Sequence, residues 1–352
     1  MDIARLRLHN QRLVGDPLPA PQDVVRWLGA VQAQDYAGAK WALAQRAEGP
    51  TDTGIDELFD AGAILRTHVM RPTWHFVAAD DIRWIVELTA PRVHAASASH
   101  YRKLELDSAT LGRGNALLAK VLRGGRQLTR AEVAEAFKSA GIEARGPRLG
   151  SLIMHAELEG VVCSGARRGK QHTYALLDER APAPKRLERD EALRALAQRY
   201  FTAHGPALVQ DFSWWSGLTV GEARLGIDLA QPDLVREEFK GKTYWRSPAS
   251  QGSQREPTSV HLLPNYDEYF IAYKDRSSLL HPASAPQTVL WGHVVIVDGQ
   301  AVGGWRRQVS KGRTTITVRL LVTLHKKHMR ALEAAGQRYA QFTGMPVELV
   351  FS

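Results

Sequence analysis

A single cysteine, Cys163, in 352 residues excludes an internal disulfide framework and any cysteine-rich zinc site. No apolar run reaches the length of a membrane span, and the polar opening MDIARLRLHNQR does not read as a signal peptide. A reducing cytoplasm is the expected location. The chain has no GxxxxGK[ST] loop, no HExxH and no GxSxG, and its GRGNALL fragment lacks both the third glycine and the preceding strand of a dinucleotide site. The thirteen histidines show no metal-ligand spacing and read as surface and core residues. No acidic cluster of the kind that holds a nuclease's metal ions is evident. No metal and no cofactor are expected. Acidic residues are also missing from a whole stretch: between Ala301 and Arg330 there is none.

That stretch carries Arg306, Arg307, Lys311, Arg313, Arg319, Lys326, Lys327 and Arg330. The whole chain has 46 Lys+Arg against 37 Asp+Glu, a formal charge of +9. Such a balance favours polyanionic partners, because each neutralised phosphate releases condensed counterions. A solvated basic face has the same composition, so charge alone leaves both readings open.

Periodicity supplies the organisation. Val24, Trp27, Leu28 and Val31 follow the i, i+3, i+4, i+7 rule and predict a helix over 22–34. Asp35 is placed to cap a second helix through AGAKWALAQRA. AILRTHVMRPTWHFVAADD reads as two strands around a turn at RPT, fixed by Pro72. A second set follows: NALLAKVLRGG, then TRAEVAEAFKSAG opened by Thr129, then RGPRLGSLIMHAELEG with Leu149, Leu152, Ile153 and Ala156 on one stripe. VVCSGARRGKQHTYALL closes it as strand, basic loop tip and returning strand, the plan of a helix-turn-helix with a wing. Residues 188–238 form another helical block, and strand signals dominate from Tyr244, with a helix near 323–343 and a closing strand VELVFS. The expected fold is α+β: tandem winged-helix (helix-turn-helix) domains over 1–112, 113–182 and 183–243, with a C-terminal small β-barrel over 244–352.

The stretch VQAQDYAGAK poses the chemical question. Gln32 and Gln34 are neutral, and two residues apart on one helix they would point about 200° away from each other. At a junction between helices, in extended backbone, they share a face. From spacing alone they serve to satisfy free helix-end groups.

Three separated blocks, VQAQDYAGAKWAL, LRTHVMRPTWHFV and LLPNYDEYFIAYKDRS, together resemble the AlkZ-like winged-helix DNA glycosylases, in the same order and over essentially the whole chain. The resemblance implies tandem winged helices and a small β-barrel around a concave DNA-binding face. It also implies a catalytic Gln–apolar–Gln motif, matched by Gln32, Ala33 and Gln34, where the YcaQ branch has a carboxylate in the last position. The expected partner is double-stranded DNA containing alkylated purines, with bulky adducts or interstrand crosslinks within the family's range. The expected enzyme is a monomeric, monofunctional glycosylase, since Lys40 is the only lysine beside the motif.

The chemistry accommodates glutamine. An alkylated purine is already cationic and leaves without an acid, and two carbonyl oxygens suffice to orient water toward an oxocarbenium-like sugar. Among basic residues, Arg66, His68 and His75 on the first hairpin, Arg145 and Arg148 before the second unit's third helix, and Arg167, Arg168 and Lys170 at its loop tip are candidate DNA contacts. Lys274, Arg276, Arg306, Arg307, Lys311 and Arg313 extend that set. Asp267 and Glu268 read as a buried structural pair for Lys274 or Arg276. The competing function is a winged-helix transcription regulator without catalysis, which would dimerise on regularly spaced half-sites.

Overall fold

A computed structural model describes residues 1–182, 185–249, 258–283 and 292–352. Part of the linker around 178–189 and the start of the strand expected from 288 lie outside these. After α1 (Ile3–Asn10), helix α2 (Pro21–Leu28) starts on a proline and stops at Gly29, whose φ of 82° only glycine adopts without strain. The helix expected over 22–34 is therefore shorter. Val31 and Gln32 instead form β1, opposite Phe76 and His75. Val31 is buried in either geometry, so a seven-residue spacing could not separate the last helical turn from the first strand residue.

Asp35 caps α3 (Tyr36–Ala44), its carboxylate accepting the Gly38 N–H. Helix α4 (Asp52–Ala61) and the hairpin β2 (Ile64–Val69) and β3 (Arg71–Ala78) follow. The chain reverses at Met70, with φ 64°, rather than at Pro72. Pro72 lies within β3, in the irregularity between the Val69–Arg71 and His68–Trp74 pairs. Lacking an N–H, it is tolerated where the ladder is interrupted.

The long helix α5 (Ile82–Lys103) leads into α6 (Ser108–Val121), β4 (Leu128–Thr129), α7 (Arg130–Ser139), α8 (Gly146–Leu158), β5 (Val162–Ser164), β6 (Thr173–Leu176) and the short α9 (Leu177–Arg180). Thr129 both ends β4 and caps α7, in a reciprocal box with Glu132. The third unit is α10 (Arg189–Ala203), α11 (Val209–Ser216), α12 (Val220–Ala230), β7 (Val235–Phe239) and β8 (Lys242–Arg246). The boundary expected after residue 243 falls inside β8. One element order thus recurs: helix, short strand, helix, helix, two strands. The sheets are β1-β3-β2 and β4-β6-β5, and in the third unit Ala207 bridges Trp245 beside the β7–β8 pair.

The C-terminal region holds β9 (Val260–Leu263), α13 (Glu268–Ile271), β10 (His293–Val297), β11 (Gln300–Ser310), β12 (Arg313–Leu320), α14 (Lys326–Thr343) and β13 (Val347–Phe351). Among the described residues the expected barrel is not found: the sheet is open, in the order β13-β12-β11-β10-β9, with β13 parallel to β12. Helix α14 packs against both β9 and β13 and buries Leu332, Ala335, Tyr339 and Phe342. A helix laid over the apolar face does for burial what closure would have done. One apolar cluster runs through the three helical units, and a second ties the first unit to this sheet, with the Trp41 ring 5.0 Å from Tyr339 and 5.3 Å from Phe342.

Candidate active site and nucleic-acid interface

Between β1 and the cap of α3 the chain holds Ala33 and Gln34 in extended form. Ala33 N–H donates to Trp74 O at 2.7 Å, and Trp74 N–H donates to the Gln34 Oε1 at 3.3 Å. Gln32 is 8% exposed, and its Oε1 accepts from Arg71 Nη2 at 3.1 Å. Gln34 is exposed. Each carboxamide oxygen therefore has one protein donor among the described residues, which fixes the amide's orientation, and a second lone pair that no other described donor takes.

Beneath them lies a buried carboxylate. Glu268, on α13 of the C-terminal region, accepts the Gln32 backbone N–H at 2.9 Å and the Trp215 Nε1–H at 2.8 Å, with His204 Nε2 at 3.7 Å. Burial works against its charge, yet the nearby His204 and the Arg71 guanidinium hold it below the usual carboxylate range. Its neighbour Asp267 takes a bidentate grip on Arg46, at 2.9 and 2.7 Å. The pair expected for Lys274 or Arg276 is buried as foreseen, but its partners are Arg46 and the glutamine segment. The hairpin carrying Arg71 is held from another side: a Cβ at Gly217, after α11, would lie 1.9 Å from Met70 O. Lys40 is 3% exposed and held by Asp52 Oδ1 and Asp56 Oδ1, each at 2.8 Å.

Beside the motif a cleft of about 1130 Å³ opens between the first hairpin and the second unit, walled by Arg66, His68, Trp74, Arg130, His172 and Tyr174 among others. Trp74 is its platform, with the Arg66 guanidinium 4.3 Å from the indole centroid and the His68 ring 4.5 Å from it. Arg66 also donates from Nε to Ala33 O at 3.1 Å, and His68 Nδ1 pairs with the buried Glu157 of α8. Sequence reading missed Arg71, Trp74 as a surface, Arg130 and His172. The indole's place on the hairpin's cleft side was readable only once the reversal at Met70 was known.

The other predicted contacts divide by what already holds them. His75 is fully buried with its pKa lowered to about 3, by burial first and Arg71 second, so it is a neutral core residue and presents nothing to DNA. Arg148 donates to Leu104 O and Glu105 O at the end of α5, and Arg167 is committed to Asp56 Oδ2 at 2.6 Å. Arg168 is 56% exposed but pairs with Glu132 at 2.7 Å. Arg307 donates to the Tyr339 hydroxyl at 2.6 Å, Arg313 lies 3.6 Å from Glu348, and Arg276 sits over the Phe270 ring. Arg145, Lys170, Lys274, Arg306 and Lys311 are exposed, and of these Arg145, Lys170, Lys274 and Lys311 carry no ion pair among the described residues.

Residues 25–342 match the family described as DNA glycosylase AlkZ-like. A curated relative, an interstrand DNA cross-link repair glycosylase of Streptomyces sahachiroi, is 25% identical over 319 residues, 85% of each chain. The solved structure of the Streptomyces sahachiroi DNA glycosylase AlkZ aligns with a TM-score of 0.81 over 99% of this chain and 98% of that one, at 23% identity, which speaks for the fold. The chain is accordingly a DNA glycosylase, a hydrolase acting on N-glycosyl bonds. It belongs to the AlkZ-like family.

Proposed function

We propose that the protein binds double-stranded DNA through its three helical units, read as winged helices, and hydrolyses the N-glycosidic bond of alkylated purines at Gln32 and Gln34, leaving an abasic site. The observation that carries this reading is the pair of carboxamide oxygens, each fixed by one protein donor and each with a free lone pair, beside the Trp74 cleft. Two such acceptors orient a water by taking its hydrogen bonds and present negative dipole ends to the sugar as it becomes cationic. A strong base is unnecessary, because the departing base is already charged. Positioning alone is worth up to about 7–11 kcal/mol in ideal geometry. With Lys40 sequestered by two aspartates, no lysine beside the motif in sequence is free to form a Schiff base, so the lesion ends as an intact abasic strand. Interstrand crosslinks, named for the Streptomyces relative, fall within the same chemistry. We place the enzyme on chromosomal DNA in the cytoplasm, acting as a monomer.

Duplexes carrying N7-alkylguanine, incubated with the protein and then treated with hot base, are expected to break at the modified purine without added metal. Intact strands would end this reading. A transcription regulator would instead protect a specific undamaged sequence.

A further inference from the structure

Where α5 crosses α8, His94, His155 and Glu159 converge, each offering one ligand atom within 4.8 Å of the other two. We propose that these three side chains form a binding site for a first-row divalent cation, with zinc the best match, bracing the first unit against the second. Glu159 Oε1 lies 3.1 Å from His94 Nε2 and 3.9 Å from His155 Nε2, against about 3.3 Å for tetrahedral zinc with ligands at 2.0–2.1 Å, so the three atoms, now within 4.8 Å of one another, would close on the ion by small side-chain rotations. His94 Nε2 is buried and carries no hydrogen bond, although the carboxylate is that near. The far side of each ring is engaged as metal-bound histidines usually are. His155 Nδ1 meets Asn115 Oδ1 at 3.2 Å, an acceptor that places the proton on Nδ1 and leaves the Nε2 lone pair facing Glu159. His94 Nδ1 meets the Tyr101 hydroxyl at 3.5 Å.

Two imidazoles and one carboxylate suit zinc rather than magnesium or calcium, which prefer oxygen donors. Neighbouring charge does not oppose a cation: Arg83, beside the site, is neutralised by Asp178. A hollow of about 260 Å³ bordered by His94, Glu159 and Glu87 leaves room for water in the remaining position. The ion would pin the C-terminal end of α8, the helix whose opposite end walls the DNA cleft with Pro147, Leu149 and Ser151. Its place is far in the chain from the glutamine motif, and its role is bracing, not hydrolysis. The sequence signal was HAELE, a histidine and a glutamate four apart on one helical face, which reads as nothing until α5 supplies the third ligand.

The full chain, stripped with a chelator, should take up one equivalent of Co²⁺ with visible d–d absorption that Zn²⁺ displaces, and Zn²⁺ should raise its Tm. His94→Ala and His155→Ala should abolish the band, and Asn115→Ala should weaken binding about 10–100-fold by freeing the His155 tautomer. Glu159→Gln, at a half-exposed position, tests the site even if a histidine variant fails to fold. No band in the wild-type chain, or one that survives His155→Ala and Glu159→Gln, overturns the site. A bound ion that leaves Tm unchanged overturns the brace.

Discussion

The first and second units share an element order but differ at one junction. In the second, β4 runs straight into α7: Thr129 is at once the last strand residue and the helix cap. The third unit behaves alike, with Leu208 capping α11 directly after the Ala207 bridge. In the first, β1 ends at Gln32 while Asp35 caps α3, so Ala33 and Gln34 are interposed. The added length changes who satisfies β3: Trp74 gives its carbonyl to Ala33 N–H, but its own N–H is taken by the Gln34 side chain in place of a main-chain oxygen. A two-residue extension thus turns a structural seam into a place where a side-chain amide takes over main-chain hydrogen bonding. The repeated scaffold is common to the units, and the departure from it is the segment to which we assign the chemistry.

The comparison can be broken most decisively by erasing it. Deleting Ala33 and Gln34, which gives the first unit the seam of the second, should lower single-turnover excision of N7-alkylguanine by 10³-fold or more, of the order seen when a positioned catalytic group is lost (about 10²–10⁴-fold). Gln34→Ala alone should cost about 10²-fold while duplex binding in a mobility-shift assay stays within about twofold. Undiminished excision by either variant removes the glutamines from the reaction.

Next in size is the support from below. Glu268→Ala leaves the Gln32 N–H and the Trp215 indole without their buried acceptor, and the Arg71 charge without its nearby counter-charge. Urea denaturation should show a loss of about 3–5 kcal/mol. Thr129, the second unit's counterpart, relies on no such distant carboxylate but on Glu132 one turn away, so Glu132→Ala there should lower the urea midpoint far less than Glu268→Ala does.

Acid sharpens the contrast further. His75 and His261 are both buried with pKa values lowered to about 3, by burial first. The unfolded chain binds those protons near pH 6.5, before the folded one does, so this stability is full above 6.5 and lost as pH falls toward 3, at about 1.4 kcal/mol per pH unit for each ring. Thr173 holds the ladder position in the second unit that His75 holds in the first. His75→Thr should therefore reduce the slope of stability against pH over 4–6 by one proton's worth, about 1.4 kcal/mol per pH unit, measured by chemical denaturation at each pH. The smallest effect belongs to the loop between β5 and β6: Lys170→Ala should lower the salt slope of DNA binding by about one, and Arg168→Ala, already paired with Glu132, by less.

The helices with caps were legible from the residues: Asp35, Thr129 and the glycine stops announce themselves through local hydrogen bonds. The glutamine pair stood out only by resemblance. What stayed hidden depends on pairing across the chain. Neither the strand at Val31–Gln32 nor the reversal at Met70 exists without β3 as partner. Glu268 lies 236 positions beyond Gln32, and no periodicity reaches so far. The basic residues were countable, but which of them were already spoken for, as Arg148 and Arg167 are, is decided by carbonyls and carboxylates from other elements. The open sheet was misjudged because strand signals do not say whether a helix such as α14 will cover the face they leave.

The close approach of Gly217 to the Met70 carbonyl links positions 147 residues apart in one steric lock. Relatives in which position 217 bears a side chain must carry a reshaped hairpin tip as well, and the two sites should change together across the family. A shortened protein that ends before α11 would keep both glutamines yet lose the surface that seats Arg71 above them.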